Sequence, residues 1–181
     1  MRKIEMKRFT VCIPTYNRSA LVQRAIHSVL TQDFDDFELL VIDDGSTDDT
    51  KKEIEKITDL RMKYISKKNG GKHSALNVGF KEATGEYFII LDSDDCFVPH
   101  CLSFLNQKIN ENNKELAGIM AKCMDTKHHV MGDAFDKDGM ILSYIDFHYR
   151  SKKNYGDCVE VIRTSLLKEL SFPCSRQVCF Q

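Results

Sequence analysis

A chain of 181 residues with 42% hydrophobic and 29% charged residues has the size and composition of one soluble globular domain, long enough to bury ~70% of its unfolded surface. Its 26 Lys and Arg against 27 Asp and Glu leave a formal charge of −1, which excludes the overall basic field of a nucleic-acid binder. No apolar run approaches the ~20 residues of a membrane span, and the basic start holds too short an apolar stretch for a secretory signal, so a cytoplasmic protein is expected.

In chain order, Phe9 to Ile13 is a β-prone run stopped by Pro14. Leu21, Val22, Ala25, Ile26, Val29 and Leu30 then recur at helical spacing, with Asn17 or Ser19 as the expected N-cap. Phe37 to Ile42 is nearly continuous in apolar residues, the mark of a strand covered on both faces, and ends at Asp43-Asp44-Gly45-Ser46. Ser46 or Thr47 is placed to cap the next helix, with Asp48 and Asp49 near the positive end of its dipole. Met62 to Ser66 reads as a third strand, followed by the polar loop Lys67-Lys68-Asn69-Gly70-Gly71-Lys72. Ala75, Leu76, Val78, Gly79, Phe80 and Ala83 form a helix with Gly85 as its C′ residue. Tyr87 to Leu91 is the next strand and runs straight into Asp92-Ser93-Asp94-Asp95. Pro99 opens a helix through Leu102, Leu105 and Ile109, and Leu116 to Ala121 is a further strand. Met124 to Gly156 shows no period; Val159 to Ile162 reads as a strand, and Thr164 as the cap of a short helix ending near Leu170.

The seven cysteines are odd in number and form no Cys-x-x-Cys pair, which fits a reducing compartment. Cys12, inside an apolar run, is expected as a small core residue. Cys123 with His128 and His129 matches no common zinc spacing, so structural or surface roles are expected there. The basic cluster Arg150, Lys152 and Lys153 reads as a solvated loop.

Strand and helix alternate, so the fold class is α/β: three layers, α/β/α, around a mostly parallel central sheet. In such sheets ligands bind at the carboxyl ends of the strands. The polar clusters of this chain follow strand ends: Thr15-Tyr16-Asn17, Asp43-Asp44, the lysine loop and Asp92-Ser93-Asp94. Carboxylates gathered on one edge repel a phosphate unless Mg²⁺ or Mn²⁺ intervenes, and Mg²⁺ typically takes one or two protein carboxylates and completes its shell with water and phosphate oxygens. The same aspartates can instead end a strand and cap a helix. Asp43 and Asp44 offer acceptors to a base N–H or ribose hydroxyls, or to a helix terminus. Tyr16 can stack on a base or pack at the core's edge. Lys72 can meet a diphosphate as a point charge. Gly71-Lys72-His73 lacks the Ser or Thr that a P-loop needs after its Lys, and the first strand is followed by no glycine fingerprint.

In order and at their normal spacing, VCIPTYNR (Val11 to Arg18), LLVIDDGSTDDT (Leu39 to Thr50), NGGKHSALNVGF (Asn69 to Phe80) and GEYFIILDSDD (Gly85 to Asp95) resemble family 2 glycosyltransferases of the GT-A fold. The resemblance implies one GT-A-like domain over residues 1–181, with a nucleotide-sugar-binding half at about 8–122 and a partial acceptor-side half at 123–181, truncated or divergent at its end. It implies that Pro14, Thr15 and Tyr16 line a nucleobase pocket and that Asp44 bonds the base while Asp43 supports that loop. Lys72 would lie near the diphosphate, Asp92 and Ser93 near the ribose and sugar, and Asp94 would bind Mn²⁺ or Mg²⁺. The implied donor is a nucleotide-diphosphate sugar, commonly a UDP-sugar, and the implied acceptor a hydroxyl of a glycan or lipid-linked glycan, reached by peripheral membrane association and glycosylated with inversion. The family's catalytic base is not matched by a motif; Asp157 and Glu160 are the available carboxylates. A nucleotidyltransferase, a phosphoacceptor receiver with Lys122, and a nucleotide-sugar-binding module without turnover are the competing readings.

Overall fold

A computed structural model describes residues 6–111, 116–135, 154–170 and 172. The elements run β1 (Phe9–Thr15), α1 (Ser19–Leu30), β2 (Phe37–Asp43), α2 (Thr50–Glu55), β3 (Met62–Ser66), α3 (Lys72–Glu82), β4 (Tyr87–Ile90), α4 (Cys101–Glu111), β5 (Gly118–Lys122), β6 (Cys158–Arg163) and α5 (Thr164–Lys168). They form a six-stranded sheet in the order β3-β2-β1-β4-β6-β5. β1 is parallel to β2 and β4, β2 is parallel to β3, and β6 runs antiparallel to β4. This is the expected α/β class with a mostly parallel sheet. The residues fall into two compact units, 1–119 with 161–181, and 120–160.

In the larger unit, every residue of β1 is buried, because helices cover both faces. Cys12 points into a cluster with Leu40, Ile42, Phe88 and the α3 residues Ala75, Leu76 and Phe80. Burial pushes the Cys12 thiol pKa up, so it stays a neutral core residue as expected. Val11 and Ile13 alternate to the opposite face. α1 buries Val22, Ala25, Ile26 and Val29, and covering each of the larger side chains contributes ~1.5–3 kcal/mol. Pro14 is tolerated in a central strand because the β1–β4 pairing ends at Cys12↔Ile90, before the ladder would need its missing N–H.

The expected helix caps are corrected. α1 starts with Arg18 at the cap position and no cap from its own side chains. Instead the Arg18 N–H donates to Thr50 Oγ1 at 3.0 Å and the Ser19 N–H to Asp48 Oδ2 at 3.4 Å. α2 begins after Asp49 rather than at Ser46 or Thr47, with the Thr50 N–H on Asp48 Oδ1 at 3.0 Å. Asp48 thus serves two helix starts, and the hydrogen bond of the Thr50 hydroxyl, with those of the Thr50 and Ser19 N–H groups, holds its pKa below the usual carboxylate range. Thr164 is the first residue of α5 rather than its cap, and its buried hydroxyl has no partner. Gly85 is not a C′ residue either: α3 ends at Glu82 with Ala83 extended. A Cβ on Gly85 would sit 2.5 Å from the Phe9 carbonyl carbon, so close approach to β1 requires glycine there.

Among its described residues the smaller unit has no helix. Asp125 Oδ1 accepts from the Lys127 and His129 N–H groups at 2.8 and 2.9 Å, closing a turn that the Met124↔Val130 bridge flanks. Lys122 donates to the Tyr155 carbonyl and lies over the Phe135 and Tyr155 rings. Arg150, Lys152, Lys153, Cys174 and Cys179 lie outside the described residues. Among the described residues no helix is long and apolar enough to cross a membrane.

Candidate functional site

The four parallel strands deliver their carboxyl ends to one edge. Thr15 is in register with Asp43, and Asp43 with Ser66. The Asp44 N–H donates to the Thr15 carbonyl at 2.9 Å, and the Leu91 N–H to the Cys12 carbonyl at 3.0 Å. Thr15, Asp44, the lysine loop and Asp92 therefore sit on one rim.

At the end of β1, Thr15 is 3% exposed and its Oγ1 has no hydrogen-bond partner, while the next residue, Tyr16, is 46% exposed. A buried hydroxyl without a partner is costly unless something else completes it. Asn17, at φ 52, is a left-handed residue that Asn tolerates. Its N–H donates to Ser46 Oγ at 2.9 Å and its Oδ1 accepts from the Thr47 N–H at 2.8 Å, tying the β1 and β2 loops together. Asn17 is thus a clasp between loops rather than the expected helix cap.

At the end of β2 both carboxylates are buried, Asp43 at 2% and Asp44 at 3% exposure. Asp43 accepts from the Ser46 N–H at 2.9 Å and the Tyr64 hydroxyl at 2.6 Å. Burial, reinforced by Asp43, pushes the Tyr64 phenol pKa up and keeps it a donor. Asp44 accepts from Lys67 Nζ at 2.5 Å, from the Gly70 N–H at 3.0 and 3.1 Å, and from the Gly71 N–H at 2.7 Å. Gly45 allows this fold-back, since its φ of 79 is left-handed and a Cβ would meet Asn69 N at 2.8 Å.

The next residue after Gly71 carries the rim onward. Lys72 opens α3 and pairs with Asp92 Oδ1 at 2.5 Å, both half-exposed. Asp44, Gly71, Lys72 and Asp92 form a continuous run of contacts between the β2 and β4 ends. After β4 the chain turns, with the Asp95 N–H on the Asp92 carbonyl at 3.0 Å. Ser93 is 7% exposed, whereas Asp94 is exposed and its carboxylate has no hydrogen-bond or ion-pair partner among the described residues. Among the described residues no three His, Cys, Asp or Glu side chains gather as a protein-only metal cage.

The structure brings together Pro14, Thr15, Tyr16, Asp43, Asp44, Lys72, Asp92, Ser93 and Asp94. Asp157 belongs to the smaller unit, where its carbonyl accepts from the Cys123 N–H at 3.4 Å. Sequence reasoning missed Lys67 as the partner of Asp44, Tyr64 as the partner of Asp43, and the reach of Arg24 from α1 to the Asp94 carbonyl at 2.6 Å. None of these carried a local motif.

A mostly parallel sheet with an acidic and lysine-bearing rim at its carboxyl edge defines an α/β protein of the class that binds ligands at its strand ends. The sequence profile of "Glycosyl transferase family 2" matches residues 10–168, and the chain belongs to that family. It is 35% identical over 173 residues to a GalNAc(5)-diNAcBac-PP-undecaprenol beta-1,3-glucosyltransferase of Campylobacter jejuni, covering 92% of this chain and 55% of that one. The crystal structure of S. aureus TarS 1-349 in complex with UDP superimposes with a TM-score of 0.73 at 28% identity, over 92% of this chain and 50% of that one; the same protein is also known in complex with UDP-GlcNAc. The mannosyltransferase PcManGT of Pyrobaculum calidifontis, in complex with GDP-Man and Mn²⁺, matches at 24% identity with a TM-score of 0.66, over 95% of this chain and 49% of that one, a likeness of fold. The chain spans about half the length of these relatives. The neighbours have the GT-A fold, so the expected fold class holds, and family membership displaces the nucleotidyltransferase and receiver readings.

Proposed function

We propose that this chain carries the donor-binding half of a glycosyltransferase that moves a sugar from a UDP-sugar to an acceptor hydroxyl with inversion. The observation that carries this reading is the rim itself: one edge holds an incomplete buried hydroxyl beside an exposed tyrosine, a lysine at a helix start, and a carboxylate without a partner. Thr15 and Tyr16 suit a base, the tyrosine by stacking worth ~1–3 kcal/mol and the hydroxyl by hydrogen bonding. Lys72 at the α3 start offers charge to a diphosphate at the positive end of that helix's dipole. Asp43 and Asp44 shape that pocket, with Asp44 acting on the base or through the loop it holds.

The residues present fit Mn²⁺ or Mg²⁺: a hard cation taking one protein carboxylate and completing its shell with diphosphate oxygens and water needs an unpaired acid, and Asp94 is one. When bound, such an ion stabilises the charge that develops on the departing nucleotide diphosphate. Asp92, held by Lys72, would face the ribose and sugar with Ser93 beside it. The acceptor hydroxyl would attack from the opposite face with a carboxylate removing its proton, and Asp157 is the first candidate for that base, Glu160 the second. The acceptor class we infer is a glycan or lipid-linked glycan, reached by a cytoplasmic protein that touches the membrane peripherally.

Calorimetry of UDP with and without Mn²⁺ tests the site. Affinity is expected to rise at least about tenfold with the metal, and Asp94→Ala to remove that gain. Equal affinity in both conditions rules out the metal role of Asp94. Release of UDP from a UDP-sugar separates a transferase from a binding module: a chain that binds UDP tightly yet releases none is a module without turnover.

A further inference from the structure

The backbone from Leu91 to His100 joins β4 to α4 without a strand or helix of its own, so its polar groups, and the first N–H groups of α4, need outside partners. α1 and the turn that follows it supply them from residues spaced four apart, Arg24 and Ser28 in the helix and Gln32 just beyond its end. Arg24 Nη2 donates to the Asp94 carbonyl at 2.6 Å, and the Phe97 N–H donates to Ser28 Oγ at 3.0 Å. Gln32 Nε2 donates to the Val98 carbonyl at 3.0 Å, and the Leu102 N–H donates to Gln32 Oε1 at 3.1 Å. The ladder is graded. Gln32 is 8% exposed and belongs to the core, Ser28 is half-buried, and Arg24 is exposed at the end nearest the acidic turn.

From this geometry we infer that Arg24 is a positioning residue for Asp94, an inference that rests on the metal-and-donor reading of that turn. An exposed hydrogen bond adds little to global stability. The group it holds is the carbonyl of the residue whose carboxylate stands free, so its effect falls on where that carboxylate points. Gln32 and Ser28 anchor the far part of the loop, and Arg24 reaches the turn itself from α1. A guanidinium is suited to this because its donors are fixed in a plane and it remains charged at any working pH.

The test is calorimetry of UDP with and without Mn²⁺ on the full chain, for wild type, Arg24→Ala, Arg24→Lys and Asp94→Ala, with melting temperatures alongside. Arg24→Ala is expected to lose about tenfold in UDP affinity with Mn²⁺, the scale of one charge-assisted hydrogen bond, and nothing without it. Arg24→Lys, which keeps a charged N–H donor, should recover most of the loss, and melting should move by no more than about 2 °C. An Arg24→Ala protein with wild-type affinity for UDP in Mn²⁺ overturns the inference while leaving the role of Asp94 intact. Equal weakening with and without Mn²⁺ also overturns it, because the damage is then not specific to the acidic turn. If wild type gains nothing from Mn²⁺, the reading of Asp94 fails first and the role of Arg24 goes with it.

Discussion

Asp43-Asp44 and Asp92-Ser93-Asp94 follow parallel strands in the same way and end on the same rim, yet they are in opposite physical states. The first pair is 2–3% exposed, and its carboxylates accept from a phenol, a lysine and backbone N–H groups of three residues. In the second, Asp92 is half-exposed against Lys72, and the Asp94 carboxylate is open. Buried carboxylates with satisfied oxygens build the rim, because removing any partner leaves a charge uncompensated. The open carboxylate of Asp94 is available to a ligand, because water is all that must leave. Sharing a residue type and a strand end does not mean sharing a task.

The largest expected effect separates the two groups directly. Asp44→Ala should lower the unfolding free energy by about 3 kcal/mol, since it strands Lys67 and the Gly70 and Gly71 N–H groups, whereas Asp94→Ala should change it by less than ~0.5 kcal/mol. Urea unfolding of both proteins measures this, and similar costs at the two positions would erase the distinction. Asp44→Ala should also weaken uridine binding without metal, whether Asp44 meets the base or holds the loop beside it; unchanged affinity would put the base elsewhere.

Next in size, Tyr64→Phe should cost about 1–2 kcal/mol, because it leaves a buried acceptor of Asp43 without its donor. A cost near zero in the same assay would mean that Asp43 is less enclosed than its exposure indicates. Lys72→Ala breaks an exposed pair and should cost less than ~1 kcal/mol in stability. Its effect should appear instead as weaker binding of UDP relative to uridine, so a uniform loss on both ligands would count against diphosphate contact.

The smallest effect concerns pH. The pKa of Asp48 is lowered in the folded protein by the hydrogen bonds of Thr50 and Ser19. A folded value below the unfolded one means that its contribution is complete above the unfolded value and is lost as pH falls through the folded one. Asp48→Ala should therefore flatten the acid side of the stability curve below about pH 4, where unfolded aspartate titrates, and leave its shape near neutrality unchanged. Melting curves across that range would show it; an unaltered acid limb would mean that other carboxylates set it.

Much of the fold was legible because it rests on local signals. The unbroken apolar run Phe37 to Ile42 announced a doubly covered strand, and the spacing of Val22, Ala25, Ile26 and Val29 announced the buried face of α1. The helix starts were misread for a related reason. Ser19, Ser46, Thr47 and Thr164 have the right chemistry for caps, but the donors at α1 were met by Asp48 and Thr50, 29 and 32 residues away along the chain. A cap supplied by a different segment leaves no mark at the helix it serves. The smaller unit was opaque because turns around Asp125 and cation–aromatic contacts at Lys122 hold it, and neither has a period.

By itself the sequence determined the order and type of the main elements, the parallel sheet and the convergence of its polar strand ends, since these follow from hydrophobic periodicity and the handedness of strand–helix–strand units. It also carried the family. Only the tertiary structure decided which aspartates are spent on the scaffold and which remain open, and which distant side chains, Lys67, Tyr64 and Arg24, hold them in place. The physical reason is that burial and hydrogen-bond saturation are properties of a carboxylate's surroundings, and those surroundings come from segments that meet only when the chain has folded.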